Sequence, residues 1–212
     1  LKGYRRTAVF ALNSTCNCRC IMCDMWQQPQ EFISLQDAKR ILDFLLRRRF
    51  LIVYLTGGEP TLHPDITEIV KYADQLGLVT SMVTNGTSSP DVIALLKKAG
   101  LYLLGVSIDH WDPEICETIR RYPNIMERQR RSMVYSKEIG IRTYALAFLN
   151  PFLLRDGVEN LVRYVNREMK VPLGICFPTK CEVNSYRLGS LLSEGELYKY
   201  AKEGVGKLLS LK

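Results

Sequence analysis

No run of apolar residues in this sequence approaches the roughly 20 that a membrane-spanning helix needs, so no membrane span is expected. The basic start, Leu1-Lys2-Gly3-Tyr4-Arg5-Arg6, leads into Ala8 to Leu12, an apolar stretch too short for the core of a signal peptide and without a small-residue cleavage site after it. Internal repeats and low-complexity segments are also missing, which leaves a succession of distinct units rather than a tandem array. What remains, 47% hydrophobic and 24% charged with only nine prolines, is the composition of a globular chain. At 212 residues it is long enough for one substantial core, since a core commonly serves about 100–200 residues.

A net charge of +7 invites a nucleic-acid reading. The basic runs, however, sit at Arg47-Arg48-Arg49 and across Arg120, Arg121, Arg128, Arg130 and Arg131, in or beside helical patterns where such residues form a solvated face. No recognised nucleic-acid motif accompanies them, so nucleic acid is not an expected partner. The seven cysteines are unevenly placed: four fall in Cys16-Asn17-Cys18-Arg19-Cys20-Ile21-Met22-Cys23, and Cys116, Cys176 and Cys181 are scattered. A tight cluster in a chain without a visible export signal points to metal rather than disulfides and to a reducing cytoplasm.

Strand-like apolar runs alternate with helical patterns along the whole chain, which predicts parallel strands joined by helices. The strands are expected at 8–13, 51–56, 79–84, 101–109, 141–149 and 172–177. Ser34 with Asp37 begins a first helix as a capping-box pattern, and Ser89-Pro90-Asp91 opens the third, which Gly100 ends. Further helices are expected at 64–76, 124–139, 156–169 and 193–211, the last cut short at the end of the sequence. Six units cannot close an eight-stranded barrel. The expectation is therefore an α/β fold, a partial (β/α)6 TIM-like barrel of parallel strands with outer helices, with residues 1–212 forming one core domain truncated at its C-terminus. A doubly wound open sheet is the alternative.

The chemistry is concentrated after the first strand, in Cys16-x-x-x-Cys20-x-x-Cys23. Thiolates favour iron–sulfur clusters, zinc or copper(I), and an iron–sulfur cube held by three leaves one iron open. After the second strand comes Gly57-Gly58-Glu59-Pro60, after the third Thr84-Asn85-Gly86, and the fourth ends in Ser107-Ile108-Asp109. In this order the motifs resemble those of the radical S-adenosylmethionine (SAM) superfamily. The resemblance implies that Cys16, Cys20 and Cys23 hold a [4Fe–4S] cluster whose open iron chelates S-adenosyl-L-methionine. It also implies that Gly57, Gly58 and Glu59 serve the SAM amino group, and that Asn85, Ser107 and Asp109 add contacts. Met22 stands where the family often has an aromatic residue on adenine, and Phe177 is left to supply the adenine wall because the family's fifth-strand glycine pattern is not evident at Thr143 to Phe148. The implied enzyme is oxygen-sensitive, forms a 5′-deoxyadenosyl radical, acts on an unidentified substrate and takes electrons from a low-potential donor such as ferredoxin or flavodoxin.

Other residues leave alternatives open. With Cys18 as a fourth ligand, the cluster of cysteines becomes a zinc or closed electron-transfer site without SAM turnover. A basic RNA-binding modification factor is the third reading. His63 reads as a surface residue at a helix start, and His110 and Trp111 as residues of a substrate loop past the fourth strand. Arg142 and Tyr144 share one strand face, while Cys116, Cys176 and Cys181 read as buried and inert.

Overall fold

The computed structural model describes residues 6–176 together with 199, 202, 203, 205 and 206. Six parallel strands form one sheet in the order of the chain: β1 Arg6–Ala11, β2 Phe50–Thr56, β3 Val79–Thr84, β4 Leu103–Ser107, β5 Arg142–Phe148 and β6 Leu173–Cys176. A strand order without reversal places right-handed crossovers on one face of the sheet and curls it, which rules out the doubly wound alternative. The result is a half-barrel with helices outside, as the alternating sequence pattern predicts. The expected helix at 193–211 and the end of the sixth strand fall mostly outside the described residues, although the described positions between 199 and 206 are helical.

Register explains which side chains reach the interior. Val53, Leu55, Met82, Leu104, Val106, Ala145 and Ala147 are fully buried on the helix side. The alternate positions, with Val83 beside Gly105, Gly105 beside Tyr144 and Ser107 beside Leu146, line the concave side. Against the outer face lie α1 (Leu35–Arg47), α2 (Ile66–Gln75), α3 (Pro90–Lys98) and α5 (Ile125–Glu138). Ala38 and Leu42 of α1, Ile69 and Ala73 of α2, Leu96 of α3 and Met133 of α5 lose all or nearly all their exposure. Each such large side chain contributes roughly 1.5–3 kcal/mol on burial.

The expected caps are present: Ser34 Oγ accepts from Asp37 N at 3.1 Å and Ser89 Oγ from Val92 N at 3.4 Å. Two helices were not expected, α4 (Pro113–Arg120) and α6 (Pro151–Asp156), and the helix expected over 156–169 divides into α7 (Val158–Tyr164) and a π turn at Val165–Met169. Both unexpected helices carry a legible start. Asp112 and Asn150 cap them through their side chains, and each is followed by proline at the first helical position.

Candidate active site

At the carboxyl ends of the strands the half-barrel encloses a cavity of about 300 Å³. Cys16, Cys20, Cys23 and Met22 line it from the segment after β1, Gly57, Gly58 and Glu59 from the turn after β2, Asn85 from the end of β3, and Ser107 and Asp109 from β4. Phe177 lies outside the described residues. Among those described, Leu146, Phe148 and Cys176 form the facing wall. All the other residues singled out by their motifs therefore open on one space.

Two structures hold the cysteine segment in place. After β1 the chain turns at Asn13, which bridges to Phe32, and the loop is stitched at its base by Ser14 N to Glu31 O (3.0 Å) and Ile33 N to Leu12 O (3.0 Å). Its middle rests on the end of α4, where Arg19 N donates to Arg120 O (3.2 Å) and Ile21 N to Ile119 O (2.9 Å). The second support is the β2 turn. Gly58 N donates to Asn13 O and Glu59 N to Thr15 O, both at 2.8 Å. A Cβ on Gly57 would stand 2.3 Å from Asn13 O, and one on Gly58 2.1 Å from Thr15 O. The close partner these glycines admit is thus the backbone of the cysteine loop itself, which fixes the thiols relative to Glu59.

Glu59 is 1% exposed. Its Oε1 accepts from Thr84 Oγ1 (2.7 Å), Thr61 Oγ1 (2.5 Å) and Thr61 N (3.2 Å), and Oε2 from Asn85 N (2.6 Å). Burial pushes its carboxyl above the usual range, against the pull of these four donors. Oε2 is bound once and keeps acceptor capacity. A desolvated carboxylate held in this way is suited to a cation.

The thiols are differentiated. Cys18 is buried, receives Asn85 Nδ2 at 3.2 Å, and is driven strongly upward by hydrogen bonding to Cys16 and Cys20 and by burial, so it keeps its proton. That same hydrogen bonding draws Cys16 below its ordinary value and Cys20 down to about 6, the latter assisted by the guanidinium of Arg120. Burial raises Cys23 to about 11. Thiolates are the metal-binding form, and two of the three motif cysteines are biased toward it by their surroundings.

Arg120 is the residue that the sequence reading misplaced. It belongs to a basic run expected to be solvated, yet its side chain is only 12% exposed, pairs with Asp109 Oδ2 at 2.6 Å and stands 3.8 Å from Cys20 Sγ. Asp109 is buried and also accepts from Phe148 N (2.9 Å), tying β4 to β5. Breaking such a buried pair strands a charge. Arg120→Met is expected to destabilise the protein by about 3–5 kcal/mol, measured by urea unfolding under reducing conditions, with part of the loss recovered in an Asp109→Asn, Arg120→Met double variant. A loss below about 1 kcal/mol would mean that solvent reaches Asp109.

Three further expectations are corrected. His63 is buried, not superficial: Nδ1 accepts from Asp65 N (3.0 Å), leaving Nε2 to meet Ile33 O at 2.9 Å, so the ring ties the approach to α1 to the β2 turn. His110 and Trp111 do not line the cavity. His110 is fully buried, stacks on Trp111 with centroids 5.2 Å apart, and its Nδ1 accepts from Asp112 N (3.0 Å). Arg142 and Tyr144 do share a face, but Arg142 lies at the opposite end of β5 over the Tyr102 ring (4.3 Å), and Tyr144 fills the space left by Gly105. Cys116 is buried as expected, its thiol pushed up to about 12 by burial, whereas Cys176 is exposed and Cys181 lies outside the described residues. Thr61, Met25 and Phe148 were not singled out, and Thr84 was read only as part of the Thr84-Asn85-Gly86 segment. Only the position of Thr84 before Asn85 carries a signal.

A soft, three-thiolate donor set with two members biased to thiolate fits an iron–sulfur cluster. Among the described residues no group of three or more His, Cys, Asp or Glu side chains is placed to hold a single metal ion. No helix among them is long and apolar enough to cross a membrane.

Comparison with known proteins agrees with this chemistry. The family model of the Radical SAM superfamily matches residues 12–165. The AdoMet-dependent heme synthase of Methanosarcina barkeri is 32% identical over 127 residues, covering 58% of this chain and 36% of that protein. The probable GTP 3′,8-cyclase of Thermococcus kodakarensis is 29% identical over 157 residues, covering 70% and 50%. This chain thus spans at most half the length of those curated relatives. In fold it is similar to Streptococcus suis SuiB bound to S-adenosylmethionine, with a TM-score of 0.73 at 19% identity, over 94% of this chain and 47% of that one.

Proposed function

This chain belongs to the radical SAM superfamily, and from that premise we propose that residues 1–212 form the SAM-cleaving core of an oxygen-sensitive cytoplasmic enzyme whose [4Fe–4S] cluster is held by Cys16, Cys20 and Cys23. When bound, the cluster and SAM together supply a 5′-deoxyadenosyl radical that abstracts a hydrogen atom from substrate. The observation that carries the reading is the convergence of the three cysteines with Glu59, Asn85, Ser107 and Asp109 on one cavity.

The protein's part is positioning and exclusion. Glu59, fixed by Thr61, Thr84 and the Asn85 amide, offers Oε2 to the SAM ammonium. Arg120 balances Asp109 and the Cys20 thiolate, so that negative charge can be held at these two buried groups. Cys18, buried between Cys16 and Cys20 and holding its proton, would be a neutral neighbour of the cluster and not a fourth ligand. Met22 covers the adenine, and Asn85, Ser107 and Asp109 supply further hydrogen-bonding groups to SAM. Relatives named for heme synthesis and for GTP cyclisation support no single substrate. The reductant is a low-potential donor of the ferredoxin or flavodoxin kind.

The test is anaerobic reconstitution with iron and sulfide, reduction with dithionite, and chromatographic detection of 5′-deoxyadenosine from SAM. Its formation is expected. A fully loaded cluster that yields none, with candidate substrates present, would return the site to the closed four-cysteine reading. Glu59→Gln keeps the shape and removes the charge, and is expected to weaken SAM binding about ten- to a hundredfold, the scale of a lost charge-assisted hydrogen bond. Iron content should stay at the wild-type level. Equilibrium dialysis with labelled SAM checks this, and unchanged affinity would remove Glu59 from the amino-group role.

A further inference from the structure

We propose that the cleft between the start of α3 and the first turns of α5 is a binding subsite for a phosphoryl group. This cleft holds about 270 Å³, and its wall begins at Gly86, one residue beyond the Asn85 that lines the candidate active site. It is lined by Arg128 and Arg131 from α5, with Tyr135 one turn further on, and by Ser88 and Ser89 at the start of α3. No carboxylate lines it among the described residues.

Charge makes the case for an anion. Arg128 and Arg131 are three apart on α5 and so share a face, where like charges repel. Neither is in an ion pair among the described residues. Glu127, close enough to feel Arg131, is already clasped by Arg130 in two hydrogen bonds of 2.9 and 3.1 Å. Arg128 is steadied over the Tyr122 ring at 5.4 Å, which reduces the ordering that binding would demand. An anion between two guanidiniums relieves their repulsion.

The donors available narrow the anion to a phosphate. Ser88 spends its proton on Thr61 Oγ1 (2.6 Å), Thr87 on Asn85 Oδ1 (2.7 Å) and Ser132 on Gly86 O (2.9 Å). Ser89 accepts from Val92 N, which leaves its hydroxyl proton free, and the Tyr135 hydroxyl makes no hydrogen bond among the described residues. Two guanidinium forks and two hydroxyl donors outnumber what a carboxylate with one charge and two oxygens can use. They match a doubly charged group with three free oxygens. The subsite would communicate with the neighbouring cavity, because Ser88 leads through Thr61 to Glu59 and Thr87 is joined to both Asn85 and Asn17.

Calorimetric titration of the anaerobically purified protein with inorganic phosphate, and separately with ribose 5-phosphate, tests the assignment. Saturable binding of one ligand per chain is expected. An Arg128→Gln, Arg131→Gln variant should bind at least about tenfold more weakly, and Tyr135→Phe about two- to fivefold. An Arg47→Gln, Arg48→Gln variant, which removes the same charge from the exposed end of α1, should stay within about twofold of wild type. Tighter binding of ribose 5-phosphate identifies a sugar phosphate as the natural source; equal binding identifies the free anion. Absence of saturable binding, or equal weakening in the two arginine pairs, overturns the proposal. This binding does not require the cluster, so its failure and a failure of SAM cleavage are separately visible.

Discussion

Cys20→Ala is expected to lower 5′-deoxyadenosine formation by on the order of a thousandfold or more, the scale on which loss of an essential group is felt, with most of the reconstituted iron lost as well. Cys20 is the motif cysteine most specifically prepared by its surroundings. It is buried, its thiol is drawn down to about 6 by Cys18 and Arg120, and Arg120 itself is anchored by Asp109. Truncation to alanine removes one buried sulfur and leaves a small void, a cost of about 1–2 kcal/mol. The half-barrel should therefore stay folded by far-ultraviolet circular dichroism while the chemistry disappears. Cys18→Ala is the necessary companion. It removes a thiol that lies between the same neighbours but keeps its proton, and iron content and SAM cleavage should persist, with a shifted cluster reduction potential because a donor to the flanking sulfurs is gone. If Cys18→Ala strips iron as thoroughly as Cys20→Ala, all four cysteines are ligands and no iron is open to SAM.

Much of this arrangement could be read from the sequence because its signals are local. The strands are near-continuous apolar runs, and alternation along β4 correctly puts Ser107 with the interior-facing set. Glycines stand where the chain makes a close approach, although the approach at Gly57 and Gly58 is to the cysteine loop and not only to a ligand. The parts that were not legible depend on tertiary neighbours. Arg120 looks like one member of a basic run, and nothing in its own segment announces that Asp109 and Cys20 lie beside it across the top of the sheet. His63 looks superficial beside Pro64 because its partner, the carbonyl of Ile33, is 30 residues away. The start of α4 was legible in Asp112-Pro113 and went unread, and with it the surface on which the cysteine loop rests. Long-range pairing, rather than composition, decides whether a charged residue belongs to the solvent or to the site.

Gly58→Ala is the second change expected to have a large effect, and it separates geometry from chemistry because it removes no functional group. The backbone at Gly58 does not require a left-handed conformation, so alanine is excluded by space alone: its Cβ would lie 2.1 Å from Thr15 O and 2.5 Å from Thr15 C. Those are main-chain atoms, and the loop carrying Cys16 must move if the methyl group is to fit. Moving it breaks the bonds from Gly58 N to Asn13 O and from Glu59 N to Thr15 O, which set the cysteines in register with the Glu59 carboxylate. A displacement near 1 Å at a reacting centre costs about a hundredfold in rate. Gly58→Ala should therefore cleave SAM about a hundredfold more slowly, with stability lowered by about 2–4 kcal/mol through strain and lost hydrogen bonds. Gly77→Ala provides the contrast. Gly77 has φ of 75° and nothing within 4 Å of an added Cβ, so its substitution carries only the cost of a left-handed backbone, about 1–2 kcal/mol, and should leave SAM cleavage unchanged. Steady-state 5′-deoxyadenosine formation and urea unfolding of the two variants decide the point. Equal activity in both would show that the cysteine loop can yield to the methyl group without losing its alignment with Glu59, and the tight junction between the β1 and β2 segments would then serve folding rather than SAM cleavage.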